Sequence, residues 1–271
     1  MLEHHHSPSK LEIATHSILP LSLMLFAEMF LNHFSSIPNT IFISPYLLAF
    51  FITCIILFIV LLKGQICLGQ RNRLLAILPL LSFFALGNFA YTLGFTPKHS
   101  PMLLACAASL LLPLLYWKLP DDEHFARIFI YCGLGIASVG TIQYLLIYWF
   151  ELPSLFNGIR ANNFAQLLLG ILLAGWYLVL AKSRLEGFLK LLALSALFAI
   201  ILNYVWTIIV LYQHLQIMPE MAINAYIIFF AMQFFILGLL AWILLTKNIK
   251  NLTAWTLATL LAMLYPFTNS F

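Results

Sequence analysis

Residues 222–245 read AINAYIIFFAMQFFILGLLAWILL, a stretch of 24 positions without a single Asp, Glu, Lys or Arg. A helix rises about 1.5 Å per residue, so about 20 mostly apolar residues cross a hydrocarbon layer roughly 30 Å thick. This stretch is long enough. It is also continuous rather than alternating, which argues against a strand of a membrane β-barrel.

Eight further runs of the same kind lie at 16–34, 44–62, 74–95, 101–117, 126–150, 161–181, 188–213 and 252–268. Pro, Asn, Gly and charged residues separate them. The run at 101–117 is near the lower limit of length and contains Pro113. The expectation is an all-α integral membrane protein, a polytopic bundle of about nine transmembrane helices within a range of eight to ten. Residues 1–15 are expected to form a short cytoplasmic tail, and 16–271 a single membrane domain.

Composition points the same way. Of 271 residues, 63% are hydrophobic and 8% are charged, and mean hydropathy is +1.00. A soluble domain carries about 25% charged residues. The net charge of +4 comes from residues too scattered to track a phosphate backbone, so nucleic acid is excluded as a partner. No connection is long enough for a soluble domain, and neither G-x-x-x-x-G-K-[ST] nor G-x-G-x-x-G occurs. No cofactor is implied.

The basic residues set the expected orientation. With the N-terminus inside, Lys10, Lys63, Arg71, Arg73, Lys118, Arg127, Lys182, Arg184, Lys190, Lys247 and Lys250 fall on the cytoplasmic side, and Lys98 and Arg160 on the other. That asymmetry is the positive-inside pattern for an N-in, C-out chain. The expected location is a bacterial cytoplasmic (inner) membrane.

Metal chemistry has little to draw on. Cys54, Cys67, Cys106 and Cys132 form no C-x-x-C pair and read as packing residues. His4, His5 and His6 lie in the terminal tail. The Asp121-Asp122-Glu123 cluster reads as a helix cap.

Polarity within the runs is the informative feature, because each ionisable group there costs about 2.5–3.5 kcal/mol at the bilayer centre. Glu28 is the only acid inside a run. It shares the outward half with Asn88, Gln143, Asn203 and Gln233, and with Arg160, Asn162, Asn163 and Gln166 at the start of the sixth run. The inward halves are more apolar. The expectation is a polar cavity in the outer half that holds a substrate, with Glu28 and Arg160 as its charged members. The free N–H groups opening the sixth run favour an anion. Taken singly, the amides read as interhelical hydrogen-bond donors, worth about 0.6 kcal/mol each. Gly133, Ala137 and Gly140, and the pair Gly170 and Ala174, mark close helix packing.

The function this suggests is a secondary transporter, exporter or flippase for a small or amphipathic substrate, with an anion favoured by the start of the sixth run. The alternatives are a membrane-embedded enzyme acting on a lipid-linked substrate at the outer leaflet, and a non-catalytic assembly subunit. Membrane lipids are expected partners, and self-association or a partner subunit is compatible with the pattern.

Overall fold

The structure is a computed structural model that describes residues 10–35, 43–64, 66–95, 99–117, 119–120, 122–151, 162–217 and 223–270. Among the described residues ten α-helices follow one another: α1 (Lys10–Ser35), α2 (Leu47–Lys63), α3 (Leu68–Ile77), α4 (Ser82–Phe95), α5 (Ser100–Tyr116), α6 (Glu123–Glu151), α7 (Asn163–Leu180), α8 (Glu186–Ile217), α9 (Asn224–Leu245) and α10 (Leu252–Met263). No strand occurs among the described residues.

Among the described residues six helical segments have the length and apolarity to cross a membrane: Ile13–Phe34, Leu68–Phe95, Glu123–Phe150, Asn163–Leu180, Glu186–Ile217 and Asn224–Leu245. Three shorter apolar helices cover Leu47–Lys63, Ser100–Tyr116 and Leu252–Phe267. Each apolar run of the sequence therefore has its own helical segment, although only six have full spanning length.

Two boundaries differ from the sequence expectation. The first helix begins at Lys10, ahead of the apolar run at 16–34. Nothing between Pro8 and Pro20 breaks a helix. The third run is not one α-helix either. Pro79 cannot donate an N–H, and Leu78–Leu81 tighten into a 3₁₀ turn between α3 and α4. Pro113, in contrast, is accommodated within α5.

The outside of the bundle is greasy. Phe26, Phe150, Phe198, Phe234 and Leu245 are each more than 60% exposed. In water such a surface would be an aggregation patch, whereas in lipid it is ordinary.

The core is organised on α7. Nearly every one of its side chains is buried, and it packs against α2, α8 and α10. Small residues bring these neighbours close. A Cβ on Gly170 would lie 2.8 Å from the Ala49 carbonyl and 2.7 Å from Ile52. The bare backbone lets Thr53 Oγ1 donate across to the Gly170 carbonyl at 3.1 Å as well as to Ala49 at 2.8 Å. At Gly175 the Trp255 ring of α10 occupies the space of a side chain. On α6, Tyr116 lies over Gly133 and Phe51 over Gly140.

Helix α7 ends without glycine. Lys182 adopts a positive φ of 51°. Lys182 N–H donates to Val179 and Ser183 N–H to Leu178, both at 2.9 Å, which is the Schellman arrangement. Two side chains of α3 complete this end: Arg73 Nε donates to the Ala181 carbonyl at 2.8 Å and Gln70 Nε2 to the Lys182 carbonyl at 3.1 Å.

Candidate functional site

Glu28 faces inward because of its spacing. Leu21, Met24, Leu25, Glu28 and Leu31 are buried on one face of α1, while Phe26, Met29 and Phe30 are exposed on the other. The same logic aligns Phe84, Ala85, Asn88 and Thr92 on α4, and Met102, Cys106 and Ser109 on α5. The two amphipathic faces meet at a buried carboxylate.

Three neutral hydrogen bonds hold that carboxylate. Ser44 Oγ donates to Glu28 Oε2 at 2.6 Å. Asn88 Nδ2 donates to Oε1 and Oε2 at 2.9 and 3.1 Å. The network continues through Asn88 Oδ1, which accepts from Cys106 Sγ at 2.9 Å, and Cys106 lies 3.4 Å from Thr92 Oγ1. The ion pairs among the described residues are Arg127–Glu123 and Lys250–Glu186. Neither reaches Glu28, so no cation among them offsets its charge.

The other side of the site is a turn inside the protein. Ser44, Pro45 and Tyr46 are buried and lead directly into α2. Buried irregular backbone needs partners, and here tyrosines supply them. Tyr144 OH donates to the Ser44 carbonyl at 2.9 Å, and Tyr265 OH to the Pro45 carbonyl. Tyr46 OH in turn donates to the Met263 carbonyl at 2.8 Å, and Tyr46 N–H donates to Ser44 Oγ at 3.3 Å. Gln166 of α7 closes the ring. Its Nε2 donates to Tyr144 OH at 3.0 Å, and its Oε1 accepts from Leu48 N–H in the first turn of α2 at 3.2 Å. The positive end of the α2 dipole is thus buried beside Glu28.

A second polar group meets the first at the start of α7. Asn162 caps that helix, with Oδ1 accepting from Phe164 and Ala165 N–H at 2.9 and 3.2 Å. Its Nδ2 donates to Asn203 Oδ1 of α8 at 2.5 Å. Asn203 Nδ2, Gln233 Oε1 and Asn163 Oδ1 are buried without a partner among the described residues.

The residues expected at one polar locus are thus divided. Glu28, Asn88 and Gln166 belong to one network. Asn162 and Asn203 form a pair beside it. Gln143 turns away and donates from Nε2 to the Pro101 carbonyl at 2.6 Å, joining α6 to the start of α5. Gln233 is buried on α9. Arg160 lies outside the described residues. Glu28, Asn88, Asn162, Gln166 and Asn203 have no exposed surface, so the polar locus is closed in this structure.

Sequence reasoning missed Ser44, Cys106 and Tyr144. Cys106 read as packing, and neither Ser44 nor Tyr144 stood out among the polar positions. The only early signal was position: Tyr144 lies within its apolar run at the level of Glu28, whereas Ser44 stands at the very start of its own. The acidic cluster does cap α6, with Asp122 Oδ1 accepting from His124 and Phe125 N–H at 2.7 and 3.2 Å. Among the described residues, no group of three or more His, Cys, Asp or Glu could hold a metal ion.

Comparison with known proteins adds a family and a relative. A family model described as an integral membrane domain matches residues 5–271. An uncharacterized protein of Haemophilus influenzae is 30% identical over 258 residues, covering 93% of this chain and 91% of its own. No solved structure matches.

Proposed function

The chain belongs to this family of integral membrane domains, and on that premise we propose that it is an ion-coupled secondary transporter whose coupling group is Glu28. The observation that carries the reading is the Glu28 carboxylate, buried and held by Ser44 and Asn88 against the buried start of α2. An intramembrane acid is costly and marks a proton or cation path by default. A short helix whose N-terminus begins inside the bundle is a common way of building a transport site. The 17 residues of α2 fit that description.

In this proposal all nine apolar segments cross a bacterial cytoplasmic membrane, with the N-terminus inside. Glu28 takes up and releases a proton or small cation. The substrate is small or amphipathic and anionic. It is received by the first turn of α7 with Arg160, two residues ahead of the Asn162 cap. Water and substrate reach Glu28 when α1 and α4 part from the 44–46 turn, since the carboxylate has no exposure while they are together.

Proteoliposomes containing the full chain and a trapped pH-sensitive dye test this. They are challenged with a panel of small carboxylates and amphipathic organic anions. At least one compound is expected to drive a pH or uptake signal that Glu28→Gln abolishes and Arg160→Ala weakens. Equal signals from wild type and Glu28→Gln contradict the proposal. No signal with any compound, together with turnover of a lipid-linked substrate, favours the enzyme reading.

A further inference from the structure

At the opposite end of the chain's polarity lies a cleft that the transport reading does not use. It has a volume of about 250 Å³ and is lined by Ile59, Val60, Lys63, Gly64, Leu185 and Phe188. It sits where α2 ends and α8 begins. We propose that it is a binding site for an anionic phospholipid, with the phosphate at Lys63 and Arg184 and the upper acyl chain against Ile59 and Phe188.

The shape follows from the backbone. Gly64 caps α2, and a Cβ there would meet the Val60 carbonyl at 2.4 Å and Leu185 Cδ1 at 3.2 Å. The missing side chain brings the 183–185 segment onto the end of α2. Ser183 Oγ fixes that segment by accepting from Leu185 N–H at 3.3 Å. Ile59 is 40% exposed, so the cleft opens on the lipid-facing side.

The charge follows from which groups are already neutralised. The carbonyls ending α7 are met by Arg73 and Gln70, and Glu186 is paired with Lys250 at 2.7 Å. Lys63 and Arg184 are exposed and form no ion pair among the described residues. An apolar slot with the uncompensated cation Lys63 in its lining, and with Arg184 next in sequence to its lining residue Leu185, matches a fatty chain joined to an anionic headgroup, and basic pockets between membrane helices hold such headgroups. A zwitterionic headgroup gains less, because its own ammonium competes with the same cations.

Native mass spectrometry of the detergent-purified full chain tests the site, with dioleoylphosphatidylglycerol and dioleoylphosphatidylcholine as probes. Phosphatidylglycerol is expected to bind about tenfold more tightly. Lys63→Gln and Arg184→Gln should each weaken it about fivefold, the effect of roughly 1 kcal/mol per basic residue near an anionic lipid. Ile59→Trp, which fills the rim without changing charge, should weaken it as well. Lys247→Gln, exposed at the same end but outside the cleft, should leave it unchanged. Equal affinity for the two lipids overturns the proposal. So does an equal loss in Lys247→Gln, which marks diffuse attraction only. All four positions are exposed, so the fold tolerates the changes.

Discussion

Around Glu28 each polar group has found another: carboxylate, amide, thiol, hydroxyls and the carbonyls of the 44–46 turn form one connected network. On α8 and α9, Asn203 Nδ2 and Gln233 Oε1 are equally buried and have no partner among the described residues. Both regions contain similar residues at similar depth. The difference lies in their surroundings. The first includes a buried turn whose hydroxyl and carbonyls supply partners, whereas Asn203 and Gln233 stand mid-helix on α8 and α9. A satisfied network specifies one arrangement, because every alternative strands a donor. An unsatisfied pair specifies little.

The sharpest way to break this contrast is at its centre. Glu28→Leu orphans the Ser44 hydroxyl and the Asn88 amide together. It is expected to cost about 2–6 kcal/mol, at roughly 1–3 kcal/mol for each stranded group, measured by reversible unfolding in mixed micelles. Overpacking α7 comes next. Gly175→Val pushes into the Trp255 ring and should cost about 1–3 kcal/mol in the same assay. Tyr144→Phe removes the bond to the Ser44 carbonyl and the acceptor for Gln166, with an expected loss of about 1–2 kcal/mol. The smallest effect belongs to the second region. Gln233→Leu should change stability by less than about 0.6 kcal/mol, or raise it, because the amide oxygen gives up no bond. A loss above about 2 kcal/mol there would show a partner that the present contrast leaves out.

These regions also show what the sequence could reveal. The helices were legible: each apolar run has its helical segment, and the run positions of Glu28 and Asn88, and of Asn162 and Asn203, are such that each pair meets. Azimuth was not. Neighbouring residues on a helix point about 100° apart, and that separates Gln143, which binds Pro101, from Tyr144, which binds Ser44 and Gln166. Counting polar residues by depth selected the amide and overlooked the hydroxyl beside it. The buried turn was hidden for a different reason. Ser44-Pro45 reads as a surface loop unless the tyrosines that satisfy its carbonyls, Tyr144 and Tyr265, are known to approach from distant helices. Close packing was legible at Gly170, because a small residue four positions from Ala174 implies a near neighbour, although not which one.

The central claim is that Glu28 exchanges a proton with solution through this network. Infrared difference spectroscopy of the full chain in lipid, between acidic and alkaline baths within its stable range, tests that most directly. A carboxyl carbonyl band is expected to change with bath pH in wild type and to be missing from Glu28→Gln. The Cys106 and tyrosine hydroxyl signals nearby serve as internal references. A Glu28 band that ignores the bath across the whole range would contradict the account and leave the carboxylate a fixed part of the core.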